Sequence, residues 1–163
     1  MKYLSDKDSK LKLITEIFAP LIGLTFEGYE MPELFIEDDN TWDKWFDLPI
    51  YLSFSDELIS VSWADLDELS LSRNREIPFS LDGCQVRWCS ENIPLLNNAL
   101  GQKLESVSLG RGQMSVENNE LEIWTRLFLH LTNGVIIEIY NALDENGFNV
   151  LSSIIEKDTI KCV

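Results

Sequence analysis

The chain has 163 residues, 45% of them hydrophobic and 25% charged, which is the composition of a single folded domain and excludes a disordered polypeptide. Lys and Arg number 13 against 28 Asp and Glu, a formal charge of −15 at pH 7. Such an excess of acid repels phosphate backbones and anionic lipid, so nucleic acid and membrane surfaces are excluded as partners.

The charge is concentrated. Between Leu13 and Glu68 there are fourteen acids and one basic residue, Lys44, whereas the remainder is nearly balanced. Like charges within about 8–10 Å still repel one another, so this crowding costs folding energy. It is interleaved with Trp42, Trp45, Phe46, Tyr51 and Trp63. Aromatic rings beside carboxylates suit a binding surface, since aromatics carry most interface energy while charge speeds encounter. A solvated, solubilising face is the alternative.

The first residues, Met1 to Asp8, carry acids where a secretory leader would be apolar, and no apolar run is long enough to span a bilayer. The expectation is a cytoplasmic protein. Its three cysteines, Cys84, Cys89 and Cys162, form no disulfide framework and, with one histidine, too small a ligand set for zinc. They read as buried or incidental thiols.

In chain order, Ser9 to Ile22 reads as a helix, with Leu11, Ile14, Phe18 and Leu21 or Ile22 on one stripe, a cap at Asp8 or Ser9, and Pro20 and Gly23 at its end. Residues 28–49 lack a clean period and read as an acidic, aromatic loop, with a short strand at Leu34–Ile36 or a short helix at Trp42–Phe46. From Ile50 to Ser152 the chain turns to antiparallel strands. Ile50–Phe54 and Leu58–Trp63 make a hairpin, with Ile59, Val61 and Trp63 facing inward; Ala64–Ser72 is open between strand and helical turn. Leu81-Asp82-Gly83-Cys84 is a turn and Gln85–Cys89 a strand. A short helix is expected from Ser90 to Leu100, with Pro94 in its first turn and Gly101 past its end. Lys103–Leu109 reads as an edge strand. Leu121–Thr132 and Val135–Leu143 form a central hairpin across Asn133-Gly134, the pair preferred in a two-residue type I′ turn. That turn would place Thr132 opposite Val135 and put Trp124, Phe128, Ile137 and Ile139 on one face. Asp144-Glu145-Asn146-Gly147 turns the chain into Phe148–Ser152, completing a β-meander, and residues 153–163 read as a polar tail. The predicted fold is a single α+β domain over 1–163, predominantly antiparallel sheet, with an N-terminal helix and one or two short helices packed on it.

Chemistry is sparse. His130, the sole histidine, falls inside the central hairpin and reads as structural. Gly110-Arg111-Gly112 is too short to cradle a phosphate and marks a bulge or tight turn. Asp38-Asp39-Asn40-Thr41-Trp42-Asp43 lacks the glycine and the closing glutamate of a calcium loop. Carboxylate pairs such as Asp65/Asp67 and Asp144/Glu145 are expected by chance in so acidic a chain. No catalytic residue, metal site or cofactor is expected.

The stretch Leu121–Phe148, with its apolar strand, its Asn-Gly turn and the run Ile139-Tyr140-Asn141-Ala142-Leu143-Asp144-Glu145-Asn146-Gly147, resembles small bacterial immunity proteins, the cytoplasmic antidotes of contact-dependent growth inhibition and other polymorphic toxin systems. The resemblance implies a non-enzymatic role, in which the chain binds a cognate toxin domain and covers its active site or substrate groove. The candidate contact residues are Glu37, Asp38, Asp39, Asp43, Asp47, Asp65, Asp67 and Glu68, with Trp42 and Trp45 as anchors, facing a basic surface such as that of a nuclease. The alternatives are a small-ligand-binding or regulatory module and a small hydrolase built on His130.

Overall fold

The computed structural model describes residues 1–90, 93–112, 114–116, 119–143 and 145–163. Helix α1 spans Lys7–Phe18, and its first turn is capped by Asp6, whose carboxylate accepts from the Ser9 amide at 2.8 Å. Ile14 and Phe18 face the core, and Pro20 sits in a single 3-10 turn, Ala19–Leu21, that ends the helix. The helix starts earlier and ends earlier than its apolar stripe suggested. Leu21 belongs to the stripe but is carried by the 3-10 turn.

The strands that follow are β1 (Phe26–Ile36), β2 (Thr41–Lys44), β3 (Ile50–Phe54), β4 (Glu57–Ala64), β5 (Glu68–Ser72), β6 (Val86–Cys89), β7 (Leu104–Arg111), β8 (Met114–Val116), β9 (Asn119–Leu121), β10 (Trp124–Leu131), β11 (Ile136–Asn141), β12 (Asn146–Leu151) and β13 (Thr159–Lys161). The first sheet has the order β2-β1-β3-β4-β5, with β6 also on β1; the second is β12-β11-β10-β7-β13; β8 and β9 pair with each other. Every pairing is antiparallel. The α+β class is as the sequence indicates. No helix among the described residues is long and apolar enough to cross a membrane.

One core lies between the two sheets. Ile50, Leu52, Ile59, Val61, Trp63 and Leu69 enter it from the first; Val107, Leu109, Leu127, Leu129, Ile137 and Ile139 enter from the second. Burying each such side chain contributes about 1.5–3 kcal/mol. Polar ties fix the stacking: the Trp63 indole donates to the Ile139 carbonyl at 3.2 Å. Asn146, 1% exposed, accepts from the Trp63 amide at 3.0 Å and donates to the Phe46 and Leu48 carbonyls at 2.9 and 3.0 Å. Helix α1 closes one side against β5 and β7.

Several elements depart from the pattern-based reading. Residues 28–49 are not a loop. They form most of β1 and all of β2, because β1 changes partner at Pro32: β3 pairs with it up to Glu30, and β2 from Glu33 onward. A proline is tolerated where a ladder is interrupted, and Trp42–Phe46 forms no helix. Ala64–Ser72 resolves into a turn and β5. The helix expected at Ser90–Leu100 is a 3-10 segment, Pro94–Ala99, with Glu91 and Asn92 outside the described residues. Strand β7 is interior, since the expected tail supplies β13 as its second neighbour. The Val107 amide donates to the Val163 carbonyl at 3.0 Å, completing that edge.

The central hairpin is present with a shifted register. Thr132-Asn133-Gly134 is a three-residue turn, with Gly134 at φ 77° and the Leu131 amide donating to the Val135 carbonyl at 2.9 Å. Leu131, not Thr132, therefore faces Val135, and a one-residue slip exchanges the faces. Leu127, Leu129 and Leu131 share the core with Ile137 and Ile139, while Phe128 lies opposite Glu138 on the outer face. Asn146 and Gly147 open β12 instead of completing a turn, and Asp144 of that proposed turn and of the Asp144/Glu145 pair lies outside the described residues.

Candidate functional site

The stretch from β1 to β5 carries 13 of the 28 acids, and the β1–β2 hairpin holds a group of them. Ile36 pairs with Thr41 across Glu37-Asp38-Asp39-Asn40, a four-residue turn with Asn40 at φ 52°. Asparagine tolerates that left-handed backbone better than most side chains. Glu37, Asp38, Asp39 and the neighbouring Asp43 are all exposed. Among the described residues, none of the four has a cation within 4.0 Å.

Beneath the tip sits a fixed aromatic group. Phe35 is the cross-strand partner of Trp42, with ring centroids 5.2 Å apart. The Arg87 guanidinium lies 4.3 Å from the Trp42 ring centroid, and is itself held by Glu33, whose Oε2 accepts from Nε at 2.8 Å and from a terminal nitrogen at 2.7 Å. Glu33 also accepts from the Cys89 thiol at 3.3 Å; burial together with Glu33 raises that thiol's pKa, so it stays protonated near neutrality. Trp42 is half-buried and bracketed on two sides, a preorganised anchor beside four unneutralised carboxylates.

The other sequence-selected residues are elsewhere. Trp45 lies just past β2, donates through its indole to Asp47 at 2.7 Å, and packs on Phe79 with centroids 5.6 Å apart. Asp65 and Asp67 belong to the β4–β5 turn, and Glu68 opens β5 opposite Ala64. Asp67 is committed to Lys10, a lysine with no exposed side-chain surface, at 3.4 Å. The structure thus gathers Glu37, Asp38, Asp39, Trp42 and Asp43 on one hairpin and sets Trp45, Asp47, Asp65, Asp67 and Glu68 apart from it. Phe35 and Arg87, which hold the anchor, were missed. A hairpin reading of Glu33-x-Phe35 and Trp42-x-Lys44 around an Asp-Asp-Asn turn would have found Phe35; Arg87 is distant in sequence and leaves no local signal.

No protein-family model, curated protein or solved structure matches the chain. Its site must therefore be argued from geometry alone. The remaining polar pair of interest is Ser108 and His130, whose Oγ and Nε2 share a hydrogen bond of 3.1 Å on the outer face of the second sheet. Burial lowers the His130 pKa, with Lys161 adding to the effect and Glu105 opposing it. Ser108 is 5% exposed, so its hydroxyl offers a substrate almost no access. No group of three potential metal ligands occurs among the described residues. Of the thiols, Cys84 is exposed rather than buried, and burial pushes the Cys162 thiol up to about 11.

Proposed function

We propose that the chain is a non-enzymatic binding protein that captures a basic protein partner on the β1–β2 hairpin, with Trp42 as its apolar anchor. The observation that carries this reading is the coexistence, on one hairpin, of four exposed and unneutralised carboxylates with a bracketed tryptophan. Most interfaces concentrate their energy in a few aromatic and arginine side chains, while rim charges govern the rate of encounter. The same arrangement suits an antidote of the immunity-protein kind, in which the carboxylates stand in for phosphates on the positive groove of a toxin nuclease.

The test is retention from a lysate of the source organism at low salt, by the wild-type chain and by a variant carrying Glu37→Gln, Asp38→Asn, Asp39→Asn and Asp43→Asn. The expected result is a basic toxin domain held by the wild type, released as salt rises, and lost from the variant. Equal retention of the same protein by both would contradict the assignment of the hairpin.

A further inference from the structure

The second sheet carries a feature of opposite sign. A cavity of about 490 Å³ is lined by Arg111, Arg126, Lys157, Met114, Leu121 and Ile155, with Ser115 and Asp158 also on its wall. Three of the 13 basic residues of a strongly acidic chain thus converge on one hollow. A second cavity, of about 380 Å³, shares Gly112, Met114 and Arg126 with it and is otherwise mostly apolar, lined by Leu66, Ile123, Tyr140, Ala142 and Leu143 with Thr125 and Asn141. The two adjoin at Gly112, where a β-carbon would lie 2.2 Å from Thr125 Oγ1.

Arg126, common to both, is preorganised. Its Nε donates to Glu138, a carboxylate 1% exposed that also accepts from Asn149 at 2.9 Å. Its guanidinium lies 5.1 Å from the Phe128 ring centroid. With Nε committed, the terminal nitrogens have no hydrogen-bond partner among the described residues and can meet an anion end-on. Lys157 is exposed and likewise has no acid within 4.0 Å among them.

The apolar end is marked by two leucines in unfavourable positions. Leu143 is 74% exposed and sits at φ 62°, a backbone region that suits glycine or asparagine. Leu66 is 54% exposed and follows Asp65, at φ 45°. Asn141 ties the two turns together, donating to the Ala64 and Asp65 carbonyls at 3.3 and 2.8 Å. Backbone strain that displays an apolar side chain to solvent has no stabilising role of its own and points to a ligand.

We infer that these adjoining cavities form a binding site for a small amphipathic organic anion, its carboxylate or phosphate held by Arg126 and Lys157 and its hydrocarbon body laid against Leu66 and Leu143. Their combined size falls in the range of about 300–1,000 Å³ usual for small-ligand sites. The site lies on the second sheet and does not depend on the partner reading of the β1–β2 hairpin.

The test is calorimetric titration of the full chain with octanoate, octyl phosphate, octanol and inorganic phosphate. Saturable one-to-one binding of an octyl anion is expected, with octanol and inorganic phosphate each at least tenfold weaker. A tighter octyl phosphate identifies a phosphoryl head group and a tighter octanoate a carboxylate. Lys157→Glu and Leu143→Asn, both at exposed positions, should each weaken binding at least tenfold without lowering the melting transition of the free protein, and Leu143→Asn should raise it slightly by relieving the backbone at φ 62°. Absence of saturable binding by either anion, equal binding of octanol, or unchanged affinity in both variants would overturn the site.

Discussion

At the scale of single residues, close approach decides where the molecule is least tolerant. Gly110 on β7 lies under the Phe128 ring, and an added β-carbon would stand 2.3 Å from Cε2. Gly110→Ala should therefore cost about 1–3 kcal/mol, as overpacked cores do. Phe128→Leu in the same chain should restore part of the loss, and urea denaturation of the single and double variants measures both. His130 gives a pH signature. Its folded pKa lies below the ordinary 6.5, chiefly through burial, so on acidification the unfolded chain takes up the proton first. The stabilisation is complete above 6.5 and is lost as pH falls through that value toward the folded pKa. Thermal melts across this window should fall with pH in the wild type and fall less in His130→Gln; equal slopes would remove His130 from the account.

At the scale of elements, one side chain ties the sheets. Asn146 spans from the start of β12 to Trp63 and to the Phe46 and Leu48 carbonyls, and Asn146→Ala would leave a buried amide and two carbonyls without it. A loss of about 2–4 kcal/mol in a urea melt is expected, with the secondary structure retained. This residue also shows where sequence reading stops. In the chain it belongs to an Asp-Glu-Asn-Gly run that reads as a turn, and only the opposite sheet turns it into a strand residue. The Asn133-Gly134 hairpin was legible as an element, because turn chemistry and flanking apolar runs are local; its register was not. The choice between a two-residue and a three-residue turn is made by which face the core needs, and Leu127, Leu129 and Leu131 prevail over Phe128. Strand β1 was hidden because Pro32 and the surrounding acids break its alternation, and β13 because a strand of three residues is too short to show a period.

At the scale of the whole molecule, the fold class and the acidic character were readable from the chain, while the distribution of charge over the surface was not. Several of the acids between Leu13 and Glu68 prove to be structural: Glu30 binds Arg75 at 2.5 Å, Glu33 binds Arg87, Asp67 binds Lys10 and Asp47 holds the Trp45 indole. Of the acids in this stretch with no cation within 4.0 Å among the described residues, Glu37, Asp38, Asp39 and Asp43 lie together on the β1–β2 hairpin, and with Trp42 they are the five of the ten sequence-selected residues that stay together as a candidate surface. Rim charge and buried anchor should separate kinetically. Neutralising the four acids should slow association and flatten its salt dependence, whereas Trp42→Ala should mainly accelerate dissociation. Surface plasmon resonance with the retained partner measures both rates.

The most direct test of the capture hairpin is the association rate of the basic partner against ionic strength. It should be measured for the wild type, for the Glu37→Gln/Asp38→Asn/Asp39→Asn/Asp43→Asn variant, and for a control losing the same charge at Glu27, Asp56, Glu105 and Glu156. The account predicts a rate that falls steeply with salt in the wild type and the control, and a slow, nearly salt-independent rate in the hairpin variant. If the hairpin variant and the control associate alike, capture depends on total charge and the hairpin is not the site.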